Sequence, residues 1–335
     1  MGFDVTVVAQ KHDGQSDRDE IEGIHVRRVS AVPNRFLLKV SMMPGQLRVA
    51  HECAPEILHA NDPSGGLLGP LHAGWKKYVL TVHGIGVSAS EWPQPFRSGA
   101  RLMQRLSVKG ANAVTTTDTN TAHYLKTYRE DVTIIPTGVD VDRFSRGRYD
   151  RPEILAKDKV NILFVGRLTK VKGLDLLIDS LEHLSKDAIQ RIQMTIIGDG
   201  PLAQMAREAS SRWGCLKVIG EIPHEMLPPF FASADLLLMP SRSEGLPITM
   251  LEAMASNLPV LSTGVGGISS YFDDRHYTKI ATLSPADVAR SIDFALAQGK
   301  ELEKKASAAR SRVVDEFSWD FVARRFAEVY RAQSS

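Results

Sequence analysis

The chain has 335 residues, 43% of them hydrophobic and 24% charged, with a net charge of +2 at neutral pH. That length exceeds one ordinary core and fits two domains of about 150 residues each, while the near-neutral balance argues against wholesale nucleic-acid binding. Its two cysteines, Cys53 and Cys215, sit in no CxxC or Cys/His cluster, which suits a reducing compartment and gives no sign of zinc.

Short apolar runs alternate with helical patterns along the whole chain, the mark of stacked βαβ units. The start, Met1-Gly2-Phe3-Asp4-Val5-Thr6, formally fits a myristoylation pattern. Val5 to Ala9 read as a buried strand instead. Further strands are predicted at 24–29, 57–60, 78–82, 113–116 and 133–135. No run approaches the ~18 apolar residues of a spanning helix and none reads as a signal peptide, so a cytoplasmic protein is expected.

Two strand ends in this half carry polar groups. Asn61-Asp62 follows the third run, a weak site candidate, and His83-Gly84, with Gly86 close behind, follows the fourth. Between them and the next strand, Arg97, Arg101, Arg105 and Lys109 recur every four residues, a basic stripe on one helix face. Phe96, Leu102, Met103, Leu106 and Val108 place apolar material beside it, a combination that suits an anionic lipid surface. A solvated face is the plainer reading. The polar segment 141–159, rich in Arg and Lys, reads as an interdomain linker.

The second half restarts with a strand at 160–165 and an amphipathic helix over 174–184. Strands follow at 194–197, 217–219, 235–239 and 259–262. The tail from Ser318 to Tyr330 is amphipathic, with Trp319, Val322, Phe326 and Val329 on one face.

Chemistry gathers at these later strand ends. Gly166-Arg167-Leu168 closes the first, with Lys172-Gly173 just beyond, and Gly198-Asp199-Gly200-Pro201 closes the second. Glycine lets a ligand approach the backbone, and a helix N-terminus offers free N–H groups to an anion. Arg supplies a planar fork and Lys a point charge, so the two together suit a diphosphate. Downstream, Glu244-Gly245-Leu246-Pro247 opens a helix that reaches Glu252 about five residues in, roughly 7 Å along its axis. Two carboxylates so spaced suit separate hydroxyls of one extended sugar nucleotide.

These residues resemble the retaining GT-B glycosyltransferases of family 4. The matching stretches are FVGRLTKVKGLDLLIDSL (164–181), IIGDGP (196–201), IPTGVDVDRF (135–144) and the segment 220–267 with its Glu-x7-Glu spacing. The resemblance implies two Rossmann-like, doubly wound domains facing across a cleft, here at 1–145 and 146–317, with residues 318–335 as a helix crossing back to the first. By it, Arg167 and Lys172 grip the donor diphosphate beside Gly166. Glu244 holds sugar hydroxyls with the amides of Gly245 and Leu246, Glu252 holds the ribose, and Gly200 and Ile222 lie by the base. His83 corresponds to a cleft histidine near the sugar. The catalytic set is then His83, Glu244, Arg167 and Lys172. The implied partners are a nucleotide-sugar donor and a sugar, lipid-linked or small-molecule acceptor, with no metal and no further cofactor. Asp140-Val141-Asp142 mimics a metal-binding DxD but belongs to the IPTGVD loop.

Two departures stand out. Family members open with a strand, a glycine-rich loop and a helix before the segment that here is Gly2 to Val7, and Ser270 stands at a usually acidic position. A nucleotide-sugar-binding subunit without turnover, and a GT-B nucleotide-sugar epimerase, are the alternative readings.

Overall fold

The computed structural model describes residues 2–32, 38–61, 77–83 and 96–334. Asp62, Gly84 and Gly86 lie outside the described residues, as do the side chains of Phe96 and Arg97. The chain forms an α/β fold that divides into two compact units, residues 1–135 with 324–335, and residues 136–323.

In the first unit, strands β1 (Thr6–Gln10), β2 (Arg18–Ile21) and β3 (Ile24–Val29) form one sheet in the order β1-β3-β2. Here β1 runs parallel to β3, and β2 pairs antiparallel with β3. The sequence reading missed β2 because Arg18-Asp19-Glu20-Ile21 is an exposed hairpin edge without apolar alternation. Helix α1 (Leu38–Cys53) follows. A second, all-parallel sheet holds β4 (Leu58–Ala60), β5 (Tyr78–Val82), β6 (Ala113–Thr116) and β7 (Val132–Ile134), in that order. Helices α2 (Phe96–Gly110) and α3 (Thr119–Leu125) connect its later strands. Every residue of β5 is buried, as expected of a parallel strand covered on both faces.

The second unit is built on one six-stranded parallel sheet. Its strands are β8 (Val160–Val165), β9 (Ile192–Ile197), β10 (Leu216–Gly220), β11 (Leu236–Met239), β12 (Val260–Ser262) and β13 (Thr278–Lys279). Between them run α4 (Leu174–Ser180), α5 (Lys186–Arg191), α6 (Ala203–Arg212), α7 (Pro228–Ser233), α8 (Ile248–Ala255) and α9 (Ile268–Tyr271). Helices α10 (Pro285–Ala297), α11 (Gly299–Phe317) and α12 (Trp319–Ser334) close the chain.

Alternate strand residues feed two apolar layers. Ile162, Phe164, Leu236 and Leu238 face one with Leu177 and Val288, while Leu163 and Leu237 face the other with Met250 and Phe317. The strand order is β10-β9-β8-β11-β12-β13. The chain thus winds outward from β8 in one direction, then returns to start again at β11 on its other side. That reversal leaves a crevice beyond the C-terminal ends of β8 and β11, the usual ligand position in such sheets.

Two expected boundaries move. The segment read as a linker is part of the second unit, because Phe144 and Leu155 are buried in its core. Arg146 and Arg151 there donate to the carbonyls of Ala234 and Ser233. The tail joins the first unit only from Arg324 onward.

Candidate functional site

The crevice between β8 and β11 receives its side chains from two loops. After β8 come Gly166, Arg167 and the turn 169–173; after β11 come Ser241, Arg242 and Glu244. Lys172 donates to both carboxylate oxygens of Glu244, at 2.8 and 2.7 Å, and the Ser241 hydroxyl donates to Oε1 at 2.7 Å. The Glu244 side chain is only 5% exposed and that of Lys172 33%. A carboxylate so far from water needs such partners. Lys172 and Glu244 themselves line a small cavity together with Phe164, Met239, Ser241 and Thr249.

Around that pair other polar groups have no partner among the described residues. Arg167 is exposed and has no hydrogen-bond or ion-pair partner among the described residues. The amides of Gly245 and Leu246 donate to no described residue, and nothing lies beside the α-carbon of Gly245. A cation, two unspent backbone donors and a carboxylate are the kinds of group that a ligand carrying both anionic oxygens and hydroxyls requires.

Gly200 has a packing reason of its own. Its φ is +155°, and a side-chain carbon there would meet the Leu168 carbonyl oxygen at 2.7 Å. The Leu168 amide donates to the Asp199 carbonyl at 2.9 Å, so the turns after β8 and β9 interlock. Ile222 is half-buried against the core of this unit.

Glu252 lies within α8, where Met250, Leu251, Ala253, Met254 and Ala255 are all buried, and its side chain is 3% exposed. Burial pushes its carboxyl pKa up, while His224 and then Arg143 pull it down. His224 Nε2 lies 2.5 Å from Glu252 Oε1, with the Phe144 ring 5.7 Å from the imidazole. Sequence reasoning missed His224: it stands 28 residues from Glu252, and no local pattern marks the pair.

His83 belongs to the other unit, exposed just past the end of β5. Two residues earlier on the same strand face, Thr81 begins a polar chain. Thr81 is bonded to Thr115 at 2.6 Å and to His59 Nε2 at 2.7 Å, and His59 Nδ1 to the Tyr330 hydroxyl at 2.6 Å. Burial, and then the neighbouring His83, depress the His59 pKa to about 4. Burial pushes the Tyr330 phenol up to about 12. The sequence reading marked none of these hydrogen bonds, because His59, Thr115 and Tyr330 lie far apart along the chain. Asp140 accepts from the Arg143 amide at 2.9 Å and caps a turn.

Residues 145–312 match the family of glycosyl transferases group 1, and residues 1–143 match glycosyltransferase family 4. The fold, two units built on largely parallel sheets with a charged switch-point crevice in the second, is that of the GT-B glycosyltransferases. The chain belongs to the group 1, family 4 glycosyltransferases. Among its relatives is a putative teichuronic acid biosynthesis glycosyltransferase of Bacillus subtilis, 30% identical over 71% of this chain. The match spans 60% of that relative's length. Sucrose-phosphate synthase from Thermosynechococcus elongatus shares the fold with a TM-score of 0.85, at 20% identity over 99% of this chain and 89% of that one. Anabaena HepE in complex with UDP-glucose does so at 0.75, with 18% identity over 92% of this chain and 86% of that one.

Proposed function

We propose that this chain moves a sugar from a nucleotide-diphosphate sugar to an acceptor hydroxyl of a glycan, lipid-linked or small molecule, with retention of anomeric configuration. The observation that carries the reading is the grouping of Lys172, Glu244, Ser241 and the exposed Arg167 at the switch point of the second sheet. In this reading Arg167 and Lys172 neutralise the diphosphate as it departs, Glu244 and the Gly245 and Leu246 amides hold sugar hydroxyls, and Glu252 holds the ribose. Each charge-assisted hydrogen bond contributes on the order of 1.5–3 kcal/mol. Only the part that strengthens as charge builds on the leaving group accelerates transfer.

No carboxylate nucleophile is assigned. The acceptor attacks from the face the diphosphate leaves, and the diphosphate takes its proton. Arg167 and Lys172 supply the positive charge, so no metal ion is needed. The complex of HepE with UDP-glucose supports a nucleotide-sugar donor for a chain of this fold. The direct test is thermal denaturation with UDP-, GDP- and ADP-sugars in the presence of a chelator. A ligand that binds only folded protein raises the melting temperature. A selective rise with one base is expected; no rise with any of the three would remove the donor reading.

The acceptor side includes a surface candidate. On α2, Arg101, Leu102, Arg105, Leu106 and Lys109 are exposed, whereas Gln104, Ser107 and Val108 are buried. We place this basic and apolar ridge against anionic lipid, at the cytoplasmic side of a membrane. No helix among the described residues is long and apolar enough to cross one. Co-sedimentation with phosphatidylglycerol vesicles is expected to fall in Arg101→Glu/Arg105→Glu; unchanged binding would leave α2 a solvated face.

A further inference from the structure

Arg242 is a further charged side chain at the switch point, and the donor reading does not use it. Its guanidinium is committed. Nη1 and Nη2 donate to the two carboxylate oxygens of Asp175 at 2.7 and 2.8 Å, and Nη1 also donates to the Lys170 carbonyl. The Arg242 amide donates to the Val171 carbonyl at 2.8 Å. One residue of the β11 loop thus holds the turn 170–173 at two carbonyls and the first turn of α4 at Asp175.

The backbones at this seam are in van der Waals contact. Gly173 has φ +74°, and a side-chain carbon there would lie 1.9 Å from the Pro240 carbonyl oxygen. Only glycine permits that approach. On the other side, the Thr263 hydroxyl donates to the Ser241 carbonyl at 2.6 Å. Lys172 therefore rides on a turn tied across to the loop that carries its partner, Glu244.

The turn's own bonds are few. The Gly173 amide donates to the Lys170 carbonyl at 3.0 Å, and the Lys172 amide to the Thr169 hydroxyl at 3.3 Å. The side-chain ion pair between Lys172 and Glu244 supplies a further cross-tie. A diphosphate that draws on the Lys172 ammonium weakens that tie, because both anions compete for one cation. The bonds of Arg242 then carry the register between the two loops.

We propose that Arg242, with Asp175, is a positioning residue for donor binding: by clamping the 170–173 turn to the β11 loop it fixes where Lys172 meets the diphosphate. This rests on the donor reading above. The Arg fork is what the geometry requires, since Lys offers a point charge in place of two parallel bonds.

The test is calorimetric titration of the full chain with UDP, GDP and ADP, for wild type, Arg242→Gln, Asp175→Asn, the double variant and Arg242→Lys, each with its thermal midpoint. Misplacing Lys172 is expected to weaken the preferred nucleotide about tenfold or more, since small displacements of a binding group are costly. The two single variants are expected to be non-additive in the double, and Arg242→Lys to recover part of the affinity. A lowered midpoint with unchanged affinity overturns the clamp and leaves the pair a structural ion pair. Additive single effects overturn it as well. Wild-type protein that binds none of the three nucleotides overturns the donor reading, and the clamp with it.

Discussion

Lys172→Ala is expected to lower kcat/KM by about 10²–10³-fold, the usual cost of removing one preorganised group that stabilises developing charge. It also strips a carboxylate with 5% exposure of its cation. Breaking a buried pair on one side leaves an uncompensated charge and costs a few kcal/mol, about 3–5 in fully buried cases. Lys172 is one-third exposed, and Ser241 still donates to Glu244, so a smaller loss is expected here. The two consequences separate in a second variant. Lys172→Ala with Glu244→Gln removes both charges and is expected to regain most of the stability while turnover stays low. Wild-type turnover in Lys172→Ala would end its assignment to the diphosphate. Full recovery of turnover in the double variant would reduce the pair to a structural tie.

The second large effect concerns the first unit and pH. Unfolded, His59 has an ordinary imidazole pKa near 6.5; folded, it falls to about 4. Between those values the unfolded chain binds a proton that the fold refuses. Stability from this residue is therefore complete above about pH 6.5 and drains away as the pH falls toward 4, by about 2.5 kcal/mol between pH 7 and pH 4.5. Carboxylates titrate over part of the same range, so the comparison is with His59→Gln, whose amide keeps a donor and an acceptor for Tyr330 and Thr81. Urea titrations at both pH values are expected to show the wild type losing about that much more than the variant. Equal losses would show that His59 is solvated in the native protein. The bond to Tyr330 adds a structural meaning, since it ties α12 to the strands of the first unit. Phe326 stacks on the same tyrosine and Phe3 meets it edge to face.

Much of this molecule was legible along the chain. Strands at 24–29, 78–82, 113–116 and 160–165 carry the bounds that apolar runs and flanking turn residues dictate. The last three of these runs mark strands because burial on both faces of a parallel sheet demands them. Gly166, Arg167, Lys172 and Glu244 stand out for the opposite reason, as glycine and charged groups just past the end of an apolar run, and Glu252 as an acid inside an apolar helix. Failures came where the local signal was weak or misleading. The charged edge strand β2 has no alternation to read. The basic segment 141–159 looked solvated, yet Phe144 and Leu155 anchor it in the core, and Arg146 and Arg151 spend their donors on carbonyls.

By itself the sequence determined the alternation of strands and helices, the family, and the residue types gathered at the strand ends. Tertiary structure alone decided which of those ends are neighbours. Setting β11 beside β8 brings Lys172 to Glu244 across 72 residues and Arg242 to Asp175 across 67. Packing elsewhere turns Glu252 inward to His224 and, in the first unit, encloses His59 between Thr81 and Tyr330. Periodicity reports which face of an element is buried, a property of neighbours three or four residues apart. The order of strands in a sheet, and hence the pairing of charges carried by separate loops, follows from how those faces pack over the whole chain.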